Sequence, residues 1–311
     1  MSASKVISFP CMGDVSRLIA SSLAELGWQI KETHNTSASL AKGNRYLDEL
    51  ICLPARLTLG NLIEAAETGA TDVVQFDSCG LCRMKAYWVL QKEVLRKLGF
   101  KTQVHPLRLG IRTPGDLKRI DPSLPLWQAW YGFIRAVRQV MATPWQPVQD
   151  NSGRLNIGII GEIYTILEPF ANNRLFERLG KMGCFIHNSM PIKYFVGYRL
   201  YHSKREDMLP DKLVEAEHVG HLIFPKNIGG HGNDSIAHLV YYALAGYDGV
   251  IHVMPFPCMP EATVKPVLLE LASRYKIPFM SLTFDGQASE TGYITRLEAF
   301  VDMLKRRKIV G

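Results

Sequence analysis

The chain has 311 residues, of which 47% are hydrophobic and 21% charged, a composition typical of a globular protein with two α/β domains. The net charge of +7 is spread along the chain, and no nucleic-acid recognition motif accompanies its densest basic run, residues 304–308. No stretch approaches about 18 apolar residues, so we expect no membrane span. The first residues lack the pattern of a signal peptide, which predicts a cytoplasmic protein.

Strand-like and helix-like patterns alternate in the first half of the chain, which predicts a parallel sheet with crossover helices. The predicted strands are KVISFP, WQIKET, TDVVQF and KTQVHPL. The predicted helices are VSRLIASSLAELG, LTLGNLIEAAETG, CRMKAYWVLQKEVLRKLG and LWQAWYGFIRAVRQVMA. Gly69 and Gly99 are the expected ends of the second and third helices, because glycine adopts the left-handed backbone that often follows a helix.

The stretch TPWQPVQDNSGR, residues 143–154, interrupts the alternation with two prolines and a polar tail, and so predicts a domain boundary. After it, the predicted strands are LNIGIIG, CFIHNS, GVIHVMPF and PFMSLTF. The predicted helices are PFANNRLFERLGKMG, DSIAHLVYYALAG, ATVKPVLLELASRY and YITRLEAFVDMLKRR, and residues 190–230 are expected to hold short helices. We therefore expect an α/β protein with two Rossmann-like parallel-sheet domains, residues 1–148 and 154–311.

Six cysteines in a cytosolic chain favour metal or redox chemistry over a disulfide framework. Functional groups of open parallel sheets collect beyond the carboxyl ends of the strands. Five cysteines are predicted to lie at that edge of one domain or the other: Cys11, Cys52, Cys79, Cys82 and Cys258. Cys184 begins a strand at the opposite edge, so we expect it to be a buried core thiol.

The spacing of these five cysteines is compatible with several kinds of site. A thioredoxin-like redox pair would use Cys79 and Cys82 but leave Cys52 and Cys258 without a role. Structural zinc usually takes two close pairs of ligands, whereas thiolates from separate loops suit an iron–sulfur cluster better. Independent buried thiols are a further interpretation. The pattern favours an iron–sulfur cluster over zinc and leaves the alternatives open.

Several motifs occur in order along nearly the whole chain: FPCMGD, CLPARLTLGNLIEAAETGA, SCGLCR, GEIYTILEPFANN, GGHGNDSI, PFPCMPE and TGYITRLEAFVDML. They resemble the iron–sulfur proteins of the 2-hydroxyacyl-CoA dehydratase and benzoyl-CoA reductase superfamily. Within it, they resemble an uncharacterised branch associated with CoA-substrate-specific enzyme activases. The resemblance implies a cluster bound between two Rossmann-like domains. It also implies that a separate ATP-dependent activase of the actin/sugar-kinase type supplies the electrons.

The resemblance also implies which cysteines hold the cluster. Cysteines of the branch recur at Cys52, Cys79, Cys82 and Cys258, which are the expected ligands. The branch more often has histidine at the position of Cys11, so three roles stay open for Cys11: an additional ligand, an extra thiol beside the cluster, or a neutral substitution. A single [4Fe-4S] cluster is expected. The alternative is the double-cubane [8Fe-9S] cluster that some members hold with six cysteines; the position of Cys184 argues against it within one subunit, unless a dimer contributes ligands.

Three polar residues at the same edges are candidate functional groups. Glu162 follows the strand LNIGIIG, where a carboxylate accepts a proton or caps the next segment. His231 lies before a helix in GGHGNDS, which suits a substrate contact, although an ordinary loop histidine is an alternative. Glu261 follows CMP and is a candidate for tuning the cluster. We expect Glu162 and His231 to be the catalytic residues.

The expected function is that of a low-potential reductase or dehydratase component that receives electrons from the activase. The chain has no GxxxxGK(S/T) motif, so ATP hydrolysis is expected of the partner. The alternatives are a non-catalytic electron carrier or cluster scaffold, a double-cubane reductase of small molecules, and a zinc-stabilised binding protein. The substrate stays open, with an acyl-CoA as the family-level expectation.

Two segments are candidates for the surface that binds the activase, and a homo- or heterodimer is also compatible with the sequence. One is the loop between Cys79 and Cys82. The other is the irregular segment 190–230. Its candidate contact residues are aromatic and basic: Tyr194, Phe195, Tyr198, Lys204 and Arg205.

Overall fold

The computed structural model describes residues 5–77, 82–108, 110–143, 152–193, 196, 211–226, 228–286 and 290–310. The chain divides into two compact units: Met1–Pro144 with Ile192–His202, and Trp145–Pro191 with Ser203–Gly311. The first division, after Pro144, falls within the stretch 143–154. The return of the chain to the first unit was not predicted. Within that unit, Lys193 Nζ donates a hydrogen bond to the carbonyl oxygen of Thr143 at 2.8 Å.

The first unit contains a parallel sheet of four strands in the order β2-β1-β3-β4. The strands are β1 (Val6–Ser8), β2 (Gln29–Lys31), β3 (Asp72–Asp77) and β4 (Gln103–Arg108). The helices are α1 (Val15–Ala24), α2 (Ser37–Tyr46), α3 (Leu53–Glu67), α4 (Tyr87–Lys97), α5 (Thr113–Ile120) and α6 (Leu126–Ala142). One core cluster joins the sheet to α3 and α4, and another joins it to α1 and α5, so helices cover both faces.

The second unit repeats this topology, with the strand order β6-β5-β7-β8 and all pairs parallel. The strands are β5 (Leu155–Gly161), β6 (Cys184–Asn188), β7 (Gly249–Pro255) and β8 (Phe279–Phe284). The helices are α7 (Ile163–Leu167), α8 (Leu175–Lys181), α9 (Asp211–Ile223), α10 (Gly232–Leu244), α11 (Met259–Arg274) and α12 (Glu290–Val310). The predicted class, α/β with two Rossmann-like parallel-sheet units, is confirmed.

Helix α3 is held against α2 by two glycines that allow the two backbones to approach closely. A Cβ atom on Gly43 would collide with the carbonyl oxygen of Arg56, and one on Gly60 would collide with that of Ser39. Helix α3 is buried along most of its length. These contacts fix the position of the residue that immediately precedes α3, which is Cys52.

No helix within the part of the chain that the structure describes has the length and apolar character needed to cross a bilayer.

Candidate functional site

Each sheet has one switch point, where consecutive connections leave in opposite directions. It lies between β1 and β3 in the first unit and between β5 and β7 in the second. Ligands of open parallel sheets bind beyond the carboxyl ends of the strands at such points. Cys11 follows β1, Cys82 follows β3, Glu162 follows β5, and Cys258 follows β7. The predicted site residues therefore lie at equivalent edges of the two units.

Three of the four predicted ligands occupy the residue immediately before a helix. Cys52 is the N-cap of α3, Cys258 is the N-cap of α11, and Cys82 precedes a short 3-10 helix, Arg83–Ala86. The unpaired backbone N–H groups at the start of a long helix favour negative charge. Cys52 and Cys258 therefore lie beside backbone N–H groups that favour negative charge, and both side chains are buried.

The same sequence pattern starts both long helices. Pro54 follows Cys52 by two residues, and Pro260 follows Cys258 by two, so each proline lies in the first turn. Proline is favoured there because the N–H that it lacks would have no helical partner. Helix α3 begins at Leu53 and α11 at Met259, earlier than the predicted starts at residues 57 and 262. The Cys-x-Pro pattern was the signal for both starts.

In the first unit, the segments that carry Cys52 and Cys82 lie side by side. The Tyr87 hydroxyl at the start of α4 lies 2.5 Å from Cys52 Sγ, and both side chains are buried. Arg83, next to Cys82, donates from Nη1 to the carbonyl oxygen of Leu50 at 3.2 Å. The structure thus brings the α3 start and the α4 start together.

Cys11 lies at a different level of α3. Its backbone N–H donates to Asn61 Oδ1 at 3.0 Å, and Asn35 Nδ2 donates to its carbonyl oxygen at 3.3 Å. Asn61 follows Cys52 by nine residues, about 14 Å along the axis at the rise of an α-helix. The backbone of Cys11 is therefore fixed near the middle of α3, whereas Cys52 lies at its start.

In the second unit, a buried carboxylate ties the loop that carries Cys258 to the sheet. Glu261, in the first turn of α11, accepts hydrogen bonds at Oε2 from Ser235 Oγ and His252 Nε2, each at 2.9 Å. Glu261 and His252 are fully buried. Because His252 lies on β7, this pair closes the β7–α11 loop around Cys258.

Glu162 caps α7. Its carboxylate accepts hydrogen bonds from the backbone N–H groups of Tyr164 at 2.9 Å and Thr165 at 2.8 Å, and from the Thr165 hydroxyl at 2.8 Å. The carboxyl group is buried, and this burial raises its pKa above the usual range, although the hydrogen bonds and His231 oppose the shift. The capping role considered for Glu162 is present, together with a raised pKa.

His231 lies close to several carboxylates. Its Nδ1 lies 3.1 Å from Asp234 Oδ2. Burial disfavours the charged ring, but Asp234, Glu162 and Glu261 together raise the pKa of His231 above the usual value. The glycines beside it bring this loop against the first turn of α11, since a Cβ atom on Gly230 would lie 2.8 Å from the Pro260 ring. The structure therefore brings His231, Glu162 and Glu261 into one region.

Cys184 is buried at the start of β6, as predicted for a core thiol. Burial raises the pKa of this thiol, which favours its neutral form. A neutral, buried thiol at the amino end of the sheet is poorly suited to ligate a cluster at the opposite edge.

Several predicted residues lie outside the described residues. They are Cys79 with its neighbours 78–81, and the proposed docking residues Tyr194, Phe195, Tyr198, Lys204 and Arg205. Within the described ranges, no group of three or more His, Cys, Asp or Glu side chains is arranged to hold a metal ion. The ligand set that includes Cys79 therefore stays a prediction.

Two comparisons with known proteins gave no match: no family model matches this chain, and no curated protein matches it.

Proposed function

We propose that this protein is an iron–sulfur protein of the 2-hydroxyacyl-CoA dehydratase type, acting as a low-potential reductase or dehydratase component. Cys52, Cys79 and Cys82 from the first unit and Cys258 from the second are its proposed ligands. One observation carries the proposal: Cys52, Cys82 and Cys258 each lie directly before a helix, at the functional edge of a parallel sheet.

The donor atoms fit an iron–sulfur cluster. A [4Fe-4S] cluster takes four cysteine sulfurs, which is the number proposed. The helix starts at Cys52 and Cys258 favour the anionic sulfur that such a cluster requires. The double-cubane alternative needs six cysteines. Cys184 begins a strand at the other end of its sheet. The backbone of Cys11 is held beside the middle of α3, whereas Cys52 lies at the start of that helix. A single cluster therefore fits one chain better than a double cubane does.

When bound, the cluster supplies single electrons at low potential. The residues of this chain supply the protons that a reduction also requires. Burial raises the pKa of Glu162, and the carboxylates of Asp234, Glu162 and Glu261 raise the pKa of His231. A group whose pKa is raised toward neutral pH is suited to donate a proton to the substrate. This arrangement favours a reductase or dehydratase over a non-catalytic carrier, which needs neither group.

The proposed electron donor is an ATP-dependent activase of the actin/sugar-kinase type, and the proposed compartment is the cytoplasm. Electrons at such a low potential are delivered by coupling to ATP hydrolysis, for which this chain has no P-loop motif. The substrate class proposed first is an acyl-CoA, and a homo- or heterodimer is compatible with this function. A small molecule without CoA is the alternative substrate.

Anaerobic purification followed by metal and sulfide analysis tests the proposal. We expect a brown protein with about four iron and four sulfide per chain and broad absorbance near about 400 nm. Zinc in place of iron would support the binding-protein alternative and contradict the proposal. Iron that becomes reduced only with the activase and ATP would support the proposed partner. Cluster reduction at the same rate without ATP would contradict the need for that partner.

A further inference from the structure

Helix α6 presents an apolar outer face on the first unit. Its inner face packs on α1 and α5: Ala129 is fully buried, and a Cβ atom on Gly132 would lie 2.8 Å from Leu26 Cδ2. Large hydrophobic side chains of the same helix are also exposed on the other side. They are Leu126 at 52%, Trp127 at 71%, Trp130 at 37%, Tyr131 at 56% and Ile134 at 45%. We call these five residues the α6 stripe.

The α6 stripe is continuous along the helix. Its members lie within about 140° of the helix circumference and over about 12 Å of its length. The Trp130 ring packs edge-on against Phe133, with the ring centroids 6.0 Å apart, which holds one aromatic residue of the stripe in place. A helix that is hydrophobic on all sides is buried on all sides. Because α6 is apolar on both its packed face and its outer face, its sequence is that of a helix with a second partner.

The area of the α6 stripe is sufficient for a small interface between two proteins. A large hydrophobic side chain carries roughly 200 Å² of surface, so the exposed fractions correspond to roughly 500 Å² per chain. Two stripes packed on each other would bury roughly 1,000 Å², which is the lower end of specific interfaces. An apolar patch of this size on one chain is often functional.

The order of residues along α6 favours a second copy of this chain as the partner. Trp127 lies near the start of the helix, and the exposed Arg138 lies eleven residues later, about three turns on and on nearly the same side. A twofold axis between Tyr131 and Ile134 would pack two such helices antiparallel. Trp127 of each copy then faces Arg138 of the other. A guanidinium over a tryptophan ring is favourable, and a twofold interface forms this pair twice.

The charges of α6 agree with this arrangement. Arg135 is held by α1, since its Nε lies 2.8 Å from Glu25 Oε1, whereas Arg138 has no ion-pair or hydrogen-bond partner among the described residues. Helix α6 contains no Asp or Glu, so a parallel pair would bring the two Arg138 side chains together without a counter-charge. The antiparallel pair separates them. An anionic lipid surface is a poorer partner, because its attraction depends on a cluster of several cations.

We propose that this protein forms a twofold-symmetric homodimer through antiparallel α6 stripes, with Trp127 of each chain against Arg138 of the other. The hydrophobic side chains of the two stripes form the apolar centre of the interface. The two Trp–Arg pairs fix the relative direction of the helices. The stripe contains none of the proposed cluster ligands, so the dimer does not depend on the proposed function.

Sedimentation velocity of the full-length protein measures the association. The wild type should sediment as a dimer of the 35.0 kDa chain, with a Kd in the micromolar range, as suits a small interface. Trp127→Arg removes the ring and sets a cation against Arg138, so it should raise the Kd by about 100-fold or more. Leu222→Arg, at a similarly exposed position on α9, is the control and should leave the Kd unchanged.

Two results of this measurement would overturn the proposal. A wild type that stays monomeric well above micromolar concentrations would rule out the dimer. Equal Kd values in Trp127→Arg and in the control would rule out the α6 stripe as its surface. Binding of a monomeric wild type to vesicles of phosphatidylcholine and phosphatidylserine would instead assign the stripe to a membrane surface.

A charge-exchange variant tests the antiparallel pairing itself. When Trp127→Arg is combined with Arg138→Glu, each new arginine faces a glutamate of the other chain. The Kd should then recover by about tenfold or more relative to Trp127→Arg alone. Within one chain the two positions are about 17 Å apart along the helix, too far for an ion pair, so recovery reports a contact between chains. A folded double variant, with the circular dichroism of the wild type, that shows no recovery would overturn the antiparallel pairing.

Discussion

Tyr87 and Cys52 meet in the interior of the first unit, with the phenol hydroxyl 2.5 Å from the sulfur and both side chains buried. Hydrogen bonds to ligand sulfurs raise the reduction potential of iron–sulfur clusters, because they stabilise the extra negative charge of the reduced state. Tyr87 comes from α4 and Cys52 from the start of α3. One pair of side chains thus connects the packing of the helices to the proposed redox function.

Tyr87→Phe should lower the reduction potential of the bound cluster. Loss of one hydrogen bond to a charged acceptor changes the ratio of reduced to oxidised protein by about tenfold, or about 59 mV for a one-electron couple. A redox titration followed by EPR measures the shift, and iron content should stay constant. Tyr131→Phe, on the exposed side of α6, is the matched control. A potential equal to that of the control would contradict the role of Tyr87.

Cys258→Ser should sharply lower the iron content of anaerobically purified protein. Cys258 is the only proposed ligand from the second unit, and serine oxygen is a poor replacement for a thiolate at iron. Cys184→Ser is the matched control, since this thiol is buried at the start of β6, away from the functional edge. Iron and sulfide are measured per chain. Full iron retention in Cys258→Ser would refute the shared ligand set.

His252→Leu should destabilise the protein even without a cluster. The substitution removes a donor to the fully buried Glu261 carboxylate, and hydrogen bonds to charged groups contribute about 1.5–3 kcal/mol. Urea denaturation of the cluster-free chain measures the change in the free energy of unfolding. The exposed His218→Leu serves as the control and should change stability by less than about 0.5 kcal/mol. Equal losses in the two variants would show that the buried pair adds no stability.

The strands were predictable from the sequence, because most of them are short, largely apolar runs between glycine, proline or polar residues. All eight strand predictions are confirmed. Helices α2, α5 and α7 were missed. Helix α2 is largely polar and depends on a capping box between Thr36 and Ser39, while α5 begins with the turn-like sequence TPG. Local pattern therefore predicted the sheets better than the short helices, whose positions depend on caps and on packing against neighbouring elements: α2 against α3, α5 against α6, and α7 against β5 and β7.

The site was only partly predictable for a related reason. The cysteines are predicted ligands because of their residue type and their positions beyond strands, and that ligand set stays a prediction. His252 was missed, since it lies inside an apolar strand where the pattern predicts only core packing. The histidine in VIHV was the available signal, because a buried imidazole requires a partner. Only the tertiary pairing with Glu261 reveals its role, and the partner lies nine residues further along the chain.

His187 should titrate at an unusually low pH. Burial, with a smaller contribution from His238, lowers the pKa of His187 to about 4. The folded-state pKa is depressed, so between pH 6.5 and 4 the unfolded chain binds more protons, and stability falls as the pH falls through this window. NMR titration of the ring measures the pKa. His187→Phe should lose less stability than the wild type between these pH values, and an equal loss would contradict the assignment.

His231 should show the opposite behaviour. Its burial lowers the pKa, but Asp234, Glu162 and Glu261 outweigh this effect and raise the pKa above the usual value. The folded state therefore binds its proton more tightly than the unfolded chain does. This contribution to stability is fully present below pH 6.5 and is lost as the pH rises through the folded-state pKa.

NMR titration of the cluster-free protein measures the pKa of His231. Asp234→Asn should lower this pKa, because it removes the carboxylate that lies 3.1 Å from the ring. His221→Gln, a change on α9, serves as the control and should leave the titration of His231 unchanged. A His231 pKa at or below 6.5 in the wild type would contradict its proposed role as a proton donor.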